Sequence, residues 1–227
     1  TNWGVSIMIR GSRILRLERA GDGRYGWYSS YTNTGIYSGT VFSALSEQVI
    51  EVSYAKQLKT TKANEYGDWQ VLLDAMDGGY EASDLTITTS NSHKVFKDVL
   101  IGEVWLAAGQ SNMRFEVSKT VGADSELAKS SNNVIRLLDY YNDDFYPDEV
   151  VFSVDKLAKL NESNYLKTDG WKLSSQQSNA TFSAVAFYFA AKLQKELDVP
   201  VGIINISVGG TMTENFISKQ TLASIPE

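Results

Sequence analysis

Two short motifs that could perform chemistry each follow an apolar, strand-like run of the sequence. The motif GQSN lies at 109–112, and the motif GGT lies at 209–211. In an open α/β sheet, chemistry takes place beyond the carboxyl ends of the strands, where loops meet helix N-termini. A serine there can attack a carbonyl carbon, while backbone N–H groups of both loops bind the carbonyl oxygen. The placement predicts Ser111 as a nucleophile and an oxyanion hole formed by Ser111, Gly209 and Gly210.

A serine nucleophile requires a base, and the sequence offers few. The serine hydroxyl is a weak nucleophile at neutral pH unless a positioned group, most often histidine, accepts its proton. The chain contains one histidine, His93, in the turn-like segment SNSHK at 90–94. We interpret His93 as a surface residue and not as the base of Ser111.

Composition excludes several other kinds of function. The net charge of −6 and the lack of any Lys/Arg cluster exclude a nucleic-acid partner, because the phosphate backbone would be repelled. The lack of cysteine excludes disulfides, thiolate nucleophiles and cysteine-bound metals. No run approaches the roughly 18 to 20 apolar residues of a membrane span. With 43% hydrophobic residues, the 227-residue chain is expected to fold around a sizeable core.

The aspartates Asp143, Asp144 and Asp148 lie in an acidic, turn-rich segment between residues 139 and 170. Their oxygens could bind calcium, but their spacing does not match a regular calcium-binding loop. This favours a solvated surface excursion. We therefore expect neither a metal nor a cofactor.

The first 98 residues have the pattern of a β-rich region. Residues 49–54 alternate apolar and polar side chains, and β-branched or aromatic runs follow at 69–73 and 85–88. The segment at 21–39 is dense in Gly, Tyr and Ser, which is typical of turns between short strands. Its aromatic residues could stack on sugars, although cross-strand pairing in hairpins is the favoured interpretation.

From residue 99 onwards the pattern changes to α/β. The apolar run at 99–108 predicts a strand buried on both faces of a parallel sheet, and 134–138 predicts a second strand. Apolar residues at helical spacing predict a helix over 182–197, capped by Asn179 or Thr181. The run at 201–207 predicts another buried strand, so that helix and strand form part of a right-handed crossover.

Several of these blocks, taken together, resemble one enzyme family. IGEVWLAAGQSNM at 101–113 resembles the first conserved block of the sialate O-acetylesterases, which lie within the wider SGNH hydrolases and acetyl-xylan esterases. FSAVAFYFA at 182–190 and VPVGIINISVGGT at 199–211 are similar to the helix, strand and paired-glycine block that follow in that family. The stretch at 41–99 is similar to a small β domain found before the catalytic domain. The resemblance covers about 41–219, and roughly the first 40 residues are unmatched.

The resemblance implies an α/β fold of two parts. A β-rich domain at 1–98 would precede the N-terminal part of a three-layer α/β/α SGNH-type esterase domain at 99–227, whose parallel sheet is incomplete in this chain. The implied reaction is the removal of O-acetyl groups from sialic acid or other acetylated glycans through an acetyl-serine intermediate at Ser111. Members of the family act outside the cytoplasm, so a secreted or periplasmic location is implied.

The resemblance also implies a partner for this chain. The catalytic histidine of the family lies in an Asp-x-x-His block near the C-terminus, and no such block occurs in these 227 residues. A C-terminal portion of the same enzyme, carrying the aspartate and the histidine, is therefore the expected partner, besides an acetylated carbohydrate as substrate.

The substrate pocket is expected around the two motifs, and it contains departures from the family. Arg114 and Phe115 stand where members commonly have Glu-Trp, and Val208 stands where they commonly have Trp. These positions should contact the sugar, so the identity of the acetylated glycan stays open. The expected pocket residues are Gln110, Asn112, Arg114, Phe115, Val208, Thr211 and Glu214.

Two other functions fit parts of the sequence. One is a catalytically silent carbohydrate-binding protein, or a surface or phage-tail assembly protein, that retains the fold; the unmatched Tyr/Gly-rich start and the missing base favour it. The other is a structural β-rich adhesion module in which Ser111 is only a turn residue. The presence of Ser111 together with both glycines favours the esterase.

Overall fold

The architecture comes from a computed structural model, which describes residues 8–10, 15–19, 25–29, 47–65, 69, 71, 73–74, 76–141, 154 and 166–225. Before residue 47, it describes only the course of the backbone. The predictions for Asp143, Asp144 and Asp148 lie outside the described residues, as does most of the Gly/Tyr/Ser-rich segment at 21–39.

The chain combines strands and helices in the order expected of an α/β protein. The strands are β1 (Met8–Arg10), β2 (Leu15–Arg19), β3 (Tyr25–Ser29), β4 (Val49–Tyr54), β5 (Gln57–Lys62), β6 (Gly79–Thr88), β7 (His93–Gly109), β8 (Asn132–Tyr140), β9 (Trp171–Ser174) and β10 (Val201–Ser207). The helices with described bounds are α1 (Ser111–Arg114), α2 (Ala123–Lys129), α3 (Gln176–Ala180), α4 (Ala184–Leu197) and α5 (Lys219–Ala223). Short 3₁₀ turns lie at Val117–Lys119 and Thr213–Phe216.

Eight of the described strands form one mixed sheet that joins the two halves of the chain. Its strand order is β5-β4-β6-β7-β10-β8-β9, with β1 pairing parallel to β7, while β2 and β3 form a separate hairpin. Strand β7 is the link: its first half pairs antiparallel with β6, and residues 103–109 pair parallel with β10. The sheet is therefore antiparallel at one end and mainly parallel at the other, where β7, β10 and β8 run side by side.

Apolar side chains cover both faces of the parallel strands β8 and β10. The prediction that 99–108 is buried on both faces is wrong beyond Gly102, because residues 103–109 of β7 are partly or fully exposed. In β10, Ile203 packs among the residues beneath α4, and Ile204 packs into the cluster that continues to β4 and β6. Such burial on alternate faces is expected for an interior parallel strand, and each fully buried aliphatic side chain contributes about 1.5 to 3 kcal/mol. The strands predicted at 134–138 and 201–207 are confirmed, and so is the alternation of buried and exposed residues at 49–54.

The helix predicted at 182–197 is present as α4, but its predicted cap is wrong. Ser183 occupies the N-cap, and its Oγ accepts a hydrogen bond from the backbone N of Ala186 at 3.2 Å. Asn179 is buried in α3, where its side chain donates to the backbone carbonyl of Ser130, and Thr181 follows the end of that helix. Residues 176–180 form a separate short helix, so the capping position moves to Ser183.

Of the strand predicted at 69–73, the structure describes Trp69, Val71 and Leu73. These three residues are buried and lie outside the described strands. Their side chains belong to the same core cluster as the buried residues of β4 and β6.

The residue at the predicted domain boundary lies inside β7. Asp98 has a φ of 57°, a left-handed conformation that is unusual for a non-glycine residue. Its carboxylate accepts a hydrogen bond at 2.6 Å from Arg136 on β8, and the guanidinium of Arg136 is buried. The division into domains at 98/99 stays a prediction, since one continuous strand crosses it.

Candidate active site

The two predicted loops leave the same edge of the sheet. Gly109, the last residue of β7, is in register with Ser207, the last residue of β10. The backbone N of Val208 then donates to the carbonyl oxygen of Gly109 at 3.2 Å, which extends the pairing by one residue. As the parallel strands end together, the residues after them are neighbours.

Ser111 is the first residue of α1 and is exposed to solvent. Gln110 is the N-cap residue, but its side chain makes no capping hydrogen bond. The side chain instead reaches the other loop, where Nε2 donates to the carbonyl oxygen of Thr211 at 3.0 Å. The arrangement leaves the serine hydroxyl accessible and fixes the loop before it to the glycine loop.

The two glycines of the second loop differ in what their backbone requires. Gly210 has a φ of 77°, which L-residues with a side chain rarely adopt. A Cβ at Gly209 would meet no atom within 4 Å, so this position is open to solvent. Both glycines are exposed.

A contact that the sequence did not predict lies beneath the serine. A Cβ added at Gly109 would lie 2.9 Å from the Cβ of Met113, so glycine allows α1 to pack closely against the end of β7. The Sδ of Met113 also lies 3.5 Å from the hydroxyl of Ser183. Gly109 and Met113 therefore set the height of α1 above the sheet.

Arg114, at the end of α1, takes part in a polar network. Its Nη1 donates to both carboxylate oxygens of Asp139, at 2.8 and 2.9 Å. Asp139 also accepts a hydrogen bond at 2.7 Å from Asn205, which in turn accepts one at 2.9 Å from Ser207. Asp139 was not predicted as a site residue; an acidic residue near the end of the apolar strand β8 was the available signal.

The remaining predicted pocket residues are spread around the two loops. Asn112 is exposed on α1, and Phe115, directly after it, is about half exposed. Val208 is partly buried, while Glu214 is exposed in the 3₁₀ turn that follows the glycine loop. The structure brings Gln110 and Thr211 into contact, and it joins Arg114 to Asp139 instead of to another predicted pocket residue.

His93 is far from Ser111. It is exposed at the start of β7, with its Nδ1 3.1 Å from the hydroxyl of Thr88, whereas Ser111 follows the other end of the same strand. At about 3.3 Å per residue, the 17 residues of β7 extend over roughly 50 Å if straight. The prediction that His93 is a surface residue is confirmed, and it cannot act as the base of Ser111.

Among the described residues, no three His, Cys, Asp or Glu side chains lie close enough together to hold a metal ion. None of the helices with described residues is both long and apolar enough to cross a membrane.

Comparison with known proteins relates most of the chain to one enzyme. No family model matches the sequence. Sialate O-acetylesterase of Mus musculus is 31% identical over 169 residues, which are 72% of this chain and 30% of that protein. The chain is a homologue of the sialate O-acetylesterases. The Homo sapiens protein of the same name is 30% identical over 175 residues.

The match covers only part of these relatives. The chain spans less than a third of the length of the Mus musculus sialate O-acetylesterase. The resemblance to the family that the motifs indicated is confirmed by these matches.

A solved structure is similar over nearly the whole chain. The crystal structure of a carbohydrate acetylesterase from Xanthomonas citri matches with a TM-score of 0.72, covering 97% of this chain and 42% of that one. The two sequences are 20% identical, so the likeness shows a shared fold. The predicted α/β class is confirmed as a mixed sheet with helices.

Proposed function

We propose that this chain supplies the nucleophile and the oxyanion hole of a serine esterase that removes O-acetyl groups from carbohydrates. One observation carries the proposal. Ser111 is exposed at the start of α1, beyond the end of β7, and the hydrogen bond from Gln110 to Thr211 holds the glycine loop beside it. Homology to sialate O-acetylesterases supports the same chemistry.

The proposed reaction is acyl transfer through Ser111. Its hydroxyl oxygen attacks the acetyl carbon while a base accepts its proton, and the resulting oxyanion is bound by the N–H groups of Ser111 and of Gly209 or Gly210. The sugar oxygen then leaves with the proton, and an acetyl-serine remains. Water then attacks the acetyl-serine through the same steps, which releases acetate and regenerates the serine. Each oxyanion-hole donor is worth about 10²- to 10³-fold in turnover.

We propose that the base is a histidine oriented by an aspartate, supplied by a C-terminal portion of the same enzyme. An edge of the sheet that no other described strand covers supports this. Beyond Gly102, β10 is the only described strand that pairs with β7. Trp105 and Leu106 on that part of β7 are exposed, and Trp105 makes an edge-to-face contact with the exposed Phe189 of α4, with ring centroids 5.1 Å apart.

Such an edge is unusual in a protein that folds alone. Open strand edges with large apolar neighbours are normally covered, because they promote association with other chains. A further strand beside residues 103–109 would complete the parallel sheet, and its own loop would reach the edge where Ser111 lies. The three-layer arrangement, the separate β-rich domain at 1–98 and a secreted or periplasmic location belong to this proposal.

The substrate is proposed to be an acetylated glycan, either of sialic acid or of another sugar. Arg114, Phe115 and Val208 replace bulkier or acidic residues expected in the family. With Gln110, Asn112, Thr211 and Glu214 they are proposed to line the substrate pocket on the two loops. The exposed ring of Phe115 offers a surface on which a sugar can stack.

The experiment measures acetate release from O-acetylated sialic acid and from acetylated xylan oligosaccharides, using the polypeptide that contains the complete catalytic domain. Ser111→Ala should lower turnover by about a millionfold, the scale of losing a triad nucleophile. Ser131→Ala, which alters an exposed serine before β8, should leave turnover unchanged. Full turnover by Ser111→Ala would assign the nucleophile elsewhere and contradict the proposal.

A catalytically silent carbohydrate-binding protein is the second candidate. It is favoured by the distance between His93 and Ser111, which leaves the described residues without a histidine base at the serine. Binding of acetylated glycans without any acetate release by the complete protein would support this alternative.

A further inference from the structure

Helix α1 is too short to maintain its own position. It contains four residues, none of them buried, and its N-cap makes no side-chain hydrogen bond. A single helical turn is unstable in water, because nucleation fixes several residues for one hydrogen bond. The orientation of Ser111 therefore depends on contacts between α1 and its surroundings.

Contacts before α1, beneath it and at its last residue hold it in place. Gln110 binds the glycine loop before the helix, and Met113 packs against Gly109 beneath it. At the last residue, Arg114 binds Asp139. Since residues three apart lie on neighbouring positions of a helix surface, a shift of Arg114 turns the face that carries Ser111.

The pair of Arg114 and Asp139 is more than an exposed ion pair. Both hydrogen bonds use Nη1, and the two side chains are only 34% and 25% exposed. Charge-assisted hydrogen bonds in partly shielded sites are stronger and better oriented than those on the surface, where many ion pairs contribute little. The pair can therefore fix the end of α1.

Asp139 is itself held from the interior of the sheet. It is in register with Asn205 on β10, whose Nδ2 donates to Oδ1 of Asp139 at 2.7 Å. Asn205 is fully buried, and its Oδ1 accepts from Ser207 at 2.9 Å. Both the oxygen and the nitrogen of the Asn205 side-chain amide thus have a hydrogen-bond partner. The carboxylate of Asp139 accepts the hydrogen bond from that nitrogen.

We propose that Asp139 is a positioning residue, which holds α1 through Arg114 in the orientation that presents Ser111 to the acyl group. This inference rests on the proposed function. In this proposal, the hydrogen bonds that link Ser207, Asn205, Asp139 and Arg114 keep Ser111 in a fixed orientation. The interior strand β10 anchors these bonds. Within the same proposal, Asp139 acts through Arg114 and not on the reacting atoms.

The first test compares Asp139→Asn with Glu196→Gln, which disrupts the exposed pair of Lys192 and Glu196 on α4. Both are measured in the polypeptide with the complete catalytic domain. Asp139→Asn should lower kcat by about 10²-fold, the cost of a displacement near 1 Å, and change KM by less than about threefold. Glu196→Gln should leave both unchanged. A kcat of Asp139→Asn within twofold of wild type would overturn the proposal.

Arg114→Gln tests the same bond from its exposed end and replaces Asp139→Asn if that variant does not fold. The double variant should lose no more kcat than either single variant, because both remove one interaction. Additive losses would overturn the proposal, because the two residues would then act separately.

Amide hydrogen exchange gives a readout that does not require activity. In Asp139→Asn, exchange of the amide of Arg114, which donates to the carbonyl oxygen of Gln110 at 2.9 Å, should be at least about tenfold faster, with the core strands unchanged. If the wild-type protein releases no acetate, the proposed function fails, but faster exchange in α1 still supports positioning by Asp139. Unchanged exchange in α1 would contradict it in either case.

Discussion

Gln110 and Thr211 join the two loops of the candidate site. Nε2 of Gln110 donates to the carbonyl oxygen of Thr211 at 3.0 Å, across 101 positions of sequence. Thr211 is further held by a hydrogen bond from its backbone N to the carbonyl oxygen of Val208. The nucleophile loop and the glycine loop therefore form one unit, although they follow different strands.

Replacing Gln110 with Ala should reduce activity more than stability. The lost hydrogen bond is worth about 1 kcal/mol, so we expect kcat/KM to fall about five- to tenfold. The melting temperature should change little, because Gln110 is exposed. Gln177→Ala, at another exposed glutamine, should have wild-type kinetics. Wild-type kinetics in Gln110→Ala would show that the two loops do not depend on this bond.

Gly210 and Gly209 form a matched pair for testing the backbone of the loop. Gly210→Ala should lower the free energy of unfolding by about 1 to 2 kcal/mol, because its φ of 77° is strained for alanine. Gly209→Ala meets open space and should be within about 0.5 kcal/mol of wild type. Denaturant titration of both variants measures the difference, and equal effects would refute the assigned conformation of Gly210.

Gly102 permits the close approach of β7 to the residue before β10. A Cβ there would overlap the backbone carbonyl of Pro200, which accepts a hydrogen bond from the N of Glu103 at 2.9 Å. Gly102→Ala should therefore destabilise the fold by about 3 kcal/mol, at the upper end of overpacking. Gly79→Ala, where a Cβ meets nothing within 4 Å, is the control. Thermal unfolding of Gly102→Ala at the wild-type temperature would contradict the packing of these strands.

Tyr54 predicts a dependence of stability on alkaline pH. Burial raises the pKa of Tyr54 from 10.0 to about 12, and its hydroxyl donates to the carbonyl oxygen of Val99 at 3.1 Å. In the unfolded chain, the Tyr54 hydroxyl loses its proton near pH 10. The contribution of the buried, protonated Tyr54 to the free energy of unfolding is therefore complete below pH 10. It is lost as the pH rises through 12, up to about 3 kcal/mol.

The measurement compares the free energy of unfolding between pH 9 and 12 in wild type, Tyr54→Phe and Tyr188→Phe. Tyr54→Phe should lose less stability over this range than wild type. Tyr188→Phe, which alters an exposed tyrosine, should follow wild type. Identical slopes in wild type and Tyr54→Phe would exclude a buried, protonated Tyr54.

The sequence predicted the parts of the fold that depend on local patterns. The buried run at 201–207 and the helical spacing at 182–197 correspond to β10 and α4. Because parallel strands end at one edge, the two motifs at 109–112 and 209–211 were expected to meet, and the register of Gly109 with Ser207 agrees. These predictions needed only periodicity and strand direction.

The parts that the sequence did not predict depend on contacts between distant residues. Arg114 was expected in the sugar pocket, but its partner Asp139 lies 25 positions later on β8. Trp69, Val71 and Leu73 belong to a run that was expected in a strand, yet these three residues enter the core from outside the described strands. The capping role of Ser183 depends on where α3 ends. None of these relationships leaves a local pattern.

The most direct test of the account is the site of reaction with a serine-directed fluorophosphonate. The polypeptide that releases acetate is labelled, denatured and analysed by intact mass and peptide mapping. We predict a single adduct on Ser111 that is absent in Ser111→Ala and accompanied by loss of acetate release. Release of acetate by protein that carries no adduct on Ser111, or an adduct that maps to another serine, would contradict Ser111 as the nucleophile.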